Sequence, residues 1–143
     1  LKQDQNIFEN IDLEWSTNCL PDDLICVLGI EPIYFDLNKA SLTGSSILSL
    51  NKVIIAMTKY PKMILQISSY ADSRASIQYN KDLSLRRAIK TKRWLTSKGV
   101  NSSRLIIKAL GEENIDNICL DNSDCSEAEY QLNRKSTFKI LHF

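Results

Sequence analysis

The chain has 143 residues, 43% of them hydrophobic and 24% charged, with a formal net charge of +1. That length is one ordinary domain with room for a short appendage, and the apolar share is enough to bury a core. The near-neutral balance excludes a whole-molecule electrostatic bias toward nucleic acid or anionic lipid. No run approaches the roughly 18 apolar residues of a membrane-spanning helix, so direct membrane insertion of this stretch is not expected.

The first residues, LKQDQNIFEN, hold no apolar signal core. Residues 1–28 read as an N-terminal extension or linker that packs on the domain and continues from something upstream. Residues 29–143 read as the domain itself. In the extension, Ile7, Phe8, Ile11 and Trp15 have helical spacing, and Pro21, Asp22 and Asp23 mark a turn. The four cysteines fall into two local pairs, Cys19 with Cys26 and Cys119 with Cys125. Four cysteines allow three connectivities, of which local pairing is the simplest. Their spacing, with His142 as the single histidine, makes no zinc site. Cysteines in polar loops favour disulfides and an oxidising compartment.

Ile30 to Phe35 reads as a first strand on its β-branched and aromatic run. Asp36 to Lys39 makes a polar turn. Thr43 or Ser45 can cap a helix carrying Ile47, Leu50, Ile54 and Met57 on one face and ending before Pro61. Met63 to Ile67 is short and continuously apolar, which predicts a buried strand. A second helix is predicted from Asn80 or Asp82 to Lys98, with Gly99 beyond its end. Its inner stripe is Leu83, Ala88, Thr91 and Leu95. Leu105 to Leu110 and Thr137 to Leu141 read as further strands. An acidic loop (Glu112 to Asp124) and one or two helical turns (Ser126 to Asn133) lie between them. The order predicts an α/β fold: a β-α-β-α-β-(α)-β two-layer sandwich, with a mixed four-stranded sheet and helices on one face.

The chemistry concentrates between Ser68 and Leu95. Asp72 lies in a polar loop after an apolar run, and Arg87 follows fifteen residues later on what reads as the second turn of a helix. Such a pair makes either a salt bridge or a two-sided cradle for a ligand carrying both an ammonium and a carboxylate. Asn80 reads equally as a helix cap or a contact, and Leu83 as core or pocket wall. From Ser73 to Leu110 there are ten Lys or Arg against one acid, Asp82. With no stacking motif beside it, this basic stretch reads as a solvated face, and no nucleic acid is expected to bind. The acidic stretch from Glu113 to Glu127 lacks the Asp-x-Asp-x-Asp-Gly loop of an EF-hand, so no metal or other cofactor is expected. One histidine near the C-terminus builds no credible hydrolytic triad, so the chain does not read as an enzyme.

Three blocks in order carry a family resemblance over most of the chain. They are IYFDLNKASL, SYADSRASIQYNKDLSLRRAIKTKRWLTSKGVNSSRLIIKALGEEN and CSEAEYQLNRKSTFKIL. Together they resemble the OmpA-like peptidoglycan-binding domain, also seen in peptidoglycan-associated lipoproteins and flagellar motor stators. The resemblance implies a non-catalytic domain that binds the diaminopimelate of the peptidoglycan stem peptide. Asp72 would take the ammonium and Arg87 the carboxylate, with Arg87 close to free N–H groups at a helix N-terminus. Asn80 would meet the remaining edge, Asp36 and Leu83 would form walls, and Arg134 would flank the pocket or brace a carboxylate. It implies a periplasmic domain associated with the outer membrane through an upstream part of a longer lipoprotein. Other envelope proteins of the same assembly would be its partners. The cysteine-bearing insertion is similar to the form in Bacteroidota envelope proteins, one of which anchors the type IX secretion machinery. The chain departs from the family pattern at Ala71, where Thr is usual, at Ala75, where Gly is usual, and at Asn38, where an acid is common. Those departures leave open an alternative, an OmpA-like fold serving protein–protein interaction without wall binding.

Overall fold

A computed structural model describes residues 24–112 and 125–143. The helical spacing of Ile7 to Trp15, the turn at Pro21, Cys19, Cys119 and nearly all of the acidic loop lie outside the described residues. The two described cysteines, Cys26 and Cys125, are both disulfide-bonded.

Helix α1 is a single turn, Leu24–Val27. Leu28 and Ile30 follow it into the core, so the chain around the expected 28/29 boundary contributes to the domain interior. Strand β1 is only Ile33–Tyr34, shorter than the predicted run from Ile30. Pro32 precedes it and lacks a backbone donor, which confines pairing to an edge. The chain then turns, with Lys39 N–H donating to the Asp36 carbonyl at 3.1 Å.

Helix α2, Gly44–Lys59, is capped by Thr43, whose hydroxyl accepts from Ser46 N–H. Its buried stripe is Leu50, Val53, Ala56 and Met57, while Ile47 and Ile54 flank the stripe half-buried. Strand β2 is Ile64–Tyr70 and strand β3 is Leu105–Gly111; they run parallel, and helix α3, Ile77–Ser97, crosses between them. A short α4, Glu127–Gln131, starts at a capping box in which Ser126 and Glu129 satisfy each other's backbone N–H groups. Strand β4, Lys135–His142, runs antiparallel to both β1 and β2, giving the sheet order β1-β4-β2-β3.

The sheet is mixed, as expected, and both long helices pack on one face. Leu65 and Ile67 of β2, Leu105 of β3 and Phe138 of β4 share one core cluster with Leu50 and Val53 of α2 and Leu95 of α3. The predicted stripe of α3 is buried throughout, at Leu83, Ala88, Thr91 and Leu95. The helix begins earlier than the sequence suggests. Ser76 is its N-cap, accepting from Tyr79 N–H, so Asn80 is not a cap. At the far end Val100 N–H donates to Leu95 and Gly99 N–H to Thr96, a Schellman closure that needs the positive φ of 103° at Gly99.

Among the described residues no helix is long and apolar enough to cross a membrane.

Candidate functional site

The ends of β1 and β2 and the first turns of α3 converge on a cleft of about 250 Å³. Its walls include Leu37, Ala71, Asp72, Arg74, Ala75, Asn80, Leu83, Arg87 and Arg134. Five of the six ligand-site candidates from the sequence therefore meet at one place. Asp36 does not line the cleft. Its side chain points to solvent, and its contribution is a backbone carbonyl.

Gly111, at the end of β3, ties two walls of the cleft together. It sits at φ 56°, and a Cβ there would meet the Lys81 backbone nitrogen at 3.2 Å. Its N–H donates to Ser84 Oγ of α3 at 2.8 Å, and its carbonyl accepts from Ala71 N–H at 2.7 Å. One residue of β3 thus fixes the loop that carries Asp72 against the helix that carries Arg87. Asn80 is buried, and its side-chain amide donates to the Ala75 carbonyl at 3.2 Å, bracing the same loop.

Asp72 and Arg87 do not pair with each other. Arg87 is fully buried, in the third turn of α3, roughly 15 Å along the axis from its start at 1.5 Å per residue. It is therefore well inside the helix, not at the N-terminal N–H groups as expected. Its Nε donates to the Lys39 carbonyl, Nη1 to Tyr70 and Nη2 to Asp36, at 2.9, 3.0 and 3.0 Å. A guanidinium has five N–H donors, and these bonds use three. Among the described residues no carboxylate forms an ion pair with it. Its pKa is lowered to about 10, chiefly by burial and also by the Arg134 charge, with Asp72 opposing both. It is still a cation at neutral pH, hydrogen-bonded to three carbonyls, with the Phe35 ring 5.0 Å from its carbon.

Asp72 is held instead by two other arginines. Arg74 presents Nε to Oδ1 at 3.2 Å and Nη2 to Oδ2 at 2.9 Å, and its backbone N–H also reaches Oδ1 at 3.1 Å. Arg134 Nη1 meets Oδ2 at 3.1 Å, while its Nε is anchored on the Phe35 carbonyl at 2.9 Å. Burial alone pushes the Asp72 carboxyl up, but the hydrogen bonds from Arg74 and Arg134 outweigh it and hold the group below its ordinary 3.8. Glu127, at the start of α4, closes the cluster by pairing with Arg74 at 2.7 Å and Arg134 at 2.9 Å. Arg134 thus both flanks the cleft and braces a carboxylate.

Sequence reasoning missed Arg74 and Glu127. Arg74 looked like one more member of a solvated basic stretch, although an arginine two residues past a loop Asp is placed to fold back on it. Glu127 lies in the predicted helical turns from Ser126 and ends the acidic stretch weighed as a metal site, but no arginine partner was assigned to it.

The fold and the cleft define a class: an α/β sandwich with a buried guanidinium, unpaired among the described residues, and a carboxylate lining one cleft. Residues 34–129 match the OmpA family, and the chain belongs to it. A peptidoglycan-associated lipoprotein of Rhizobium meliloti (strain 1021) is 32% identical over 95 residues, 66% of this chain and 54% of that protein. One from Brucella melitensis biotype 1 is 31% identical over 87 residues, 61% of this chain and 52% of that protein. The chain thus spans about half the length of these curated relatives. Among solved structures, the peptidoglycan-associated lipoprotein from Burkholderia pseudomallei superposes with a TM-score of 0.73 at 23% identity, over 83% of this chain and 97% of that one. The cell wall anchor of the T6SS from Pseudomonas aeruginosa gives 0.59 at 19% identity, over 75% of this chain and 76% of that one. These two likenesses establish the shared fold.

Proposed function

We propose that the domain binds peptidoglycan without catalysis, taking the zwitterionic end of the stem-peptide diaminopimelate between Arg87 and Asp72. One observation carries this reading: Arg87 is a fully buried cation with no ion-pair partner among the described residues, and it lines a cleft. A buried charge is normally paired. Here the fork is oriented by three carbonyls and keeps two N–H donors for an incoming carboxylate, whose binding would supply the missing anion. Asp72 is the acceptor for the ammonium, and Leu83 and Asn80 shape the wall.

In this reading the domain is the periplasmic wall anchor of a longer outer-membrane lipoprotein, with residues 1–28 as its linker and other envelope proteins as its partners. The names of the relatives support the wall-binding part. The similarity of the cysteine-bearing insertion to Bacteroidota proteins supports a tie to an assembly such as the type IX secretion machinery. We assign Cys19 to Cys26 and Cys119 to Cys125 as the local disulfides.

Pull-down with purified sacculi tests the site. Wild type is expected in the pellet, and a domain changed at both Asp72 and Arg87 to Ala, with its circular dichroism intact, in the supernatant. Undiminished retention of that folded variant would refute the assignment. A second reading, a protein–protein module without wall binding, draws on one observation. The Asp72 carboxylate is already engaged from within the chain. Density for a diaminopimelate-containing peptide beside Asp72 in a soaked crystal would exclude it.

A further inference from the structure

We propose that Arg74 is a built-in occupant of the ammonium position: it holds Asp72 until a ligand cation displaces it, and Glu127 retains it as it swings away. The proposal rests on the wall-binding reading above and adds a selectivity device to it.

A carboxylate offers about four lone-pair positions. All four on Asp72 are filled from within the chain: Oδ1 by Arg74 N–H and Nε, Oδ2 by Arg74 Nη2 and Arg134 Nη1. A ligand ammonium therefore needs one of these donors to leave. Arg134 is badly placed to do so, because its side chain is 4% exposed and its Nε is fixed on a buried carbonyl. The Arg74 backbone N–H is fixed by the loop. The Arg74 guanidinium is different. It is 30% exposed, and its Nη1 already donates to Glu127 Oε2 at 2.7 Å. Its carbon lies 4.1 Å from the centre of the Tyr130 ring. Leaving Asp72 costs it one carboxylate and keeps the other, along with the aromatic face.

The exchange is balanced only when a cation replaces a cation. A ligand with a carboxylate alone reaches Arg87 but leaves Arg74 on Asp72. A ligand with both charges engages both ends, so Arg74 sharpens selection for the zwitterion.

The test is calorimetric titration of the whole domain with meso-diaminopimelate. Removing an internal competitor raises apparent affinity by the inverse of the free fraction, so Arg74→Gln is expected to lower Kd roughly tenfold. Glu127→Gln is expected to raise Kd, because Arg74 then has only Asp72 to hold. Wild-type binding with equal or weaker binding by Arg74→Gln overturns this proposal and leaves the wall-binding reading standing. No binding by wild type or by folded Arg74→Gln overturns both. Should Arg74→Gln not fold, the Arg74 Nε–H resonance of the wild type decides. A shift on saturation with ligand is expected, and an unchanged resonance in the bound state refutes displacement.

Discussion

Arg134 and Asp72, 62 residues apart in the chain, meet at 3.1 Å with side chains only 4% and 5% exposed. The contact joins the start of β4 to the loop after β2. It is the point at which the C-terminal part of the fold secures the cleft.

Breaking this pair should be costly. Removing one partner of a buried ion pair typically costs about 3–5 kcal/mol. Asp72→Ala is expected near or below the lower end, about 2–3 kcal/mol, because Glu127 stays with Arg134. Urea unfolding of the two proteins measures the difference. A loss under about 0.5 kcal/mol would show that the cluster contributes little, as exposed pairs do.

The same pair sets an acid limit. Asp72 has a folded-state pKa below its ordinary 3.8, so its contribution is fully present above that value and is lost as pH falls through the folded one. The melting temperature should hold steady from about pH 7 to pH 5 and then fall, with Asp72→Asn showing a shallower fall. Parallel curves for the two proteins would place the acid sensitivity elsewhere.

Arg87 separates grip from stability. Arg87→Met removes the donor from three carbonyls, at about 1–3 kcal/mol for each one left buried and unsatisfied, partly offset by removing a buried charge. A net loss of about 2–4 kcal/mol is expected in chemical denaturation. Arg87→Lys keeps a charge but has no planar fork, so sacculus retention should drop at least tenfold while the fold persists. Full retention by the Lys variant would mean that charge alone suffices.

Gly111→Ala tests the tie between the Asp72 loop and α3. A residue with a Cβ at φ 56° costs roughly 1–2 kcal/mol, and here that Cβ also meets the Lys81 backbone at 3.2 Å. Destabilisation of about 2 kcal/mol is expected, accompanied by weaker sacculus binding as Asp72 and Arg87 shift relative to each other. Unchanged stability and binding would show that the loop and helix are held by other contacts.

Much of this was legible in the sequence because it was written in periodicity and charge. The buried stripe of α3 and the mixed sheet follow from patterns that side chains carry, whereas the meeting of Asp72, Asn80, Leu83, Arg87 and Arg134 was implied by the family resemblance. The helix start was misjudged because Ser76, a good cap, stood four residues before the more conspicuous Asn80. The partners of Arg87 were not legible at all. They are main-chain oxygens of Asp36, Lys39 and Tyr70, and a carbonyl has no letter in the sequence. The carboxylates seen near Arg87 in the sequence are the wrong atoms. Asp36 holds it by its backbone, and Asp72 is engaged by other arginines.

Those three carbonyls imply an unusual pattern of tolerance. Any residue at positions 36, 39 or 70 supplies the same oxygen, so these three positions can change without loosening that grip, and Asp36→Ala should bind sacculi as wild type does. Inserting or deleting one residue between Asp36 and Lys39 is another matter, because it moves two of the three oxygens at once. The grip on Arg87 depends on the length of that loop rather than on the side chains at its two ends.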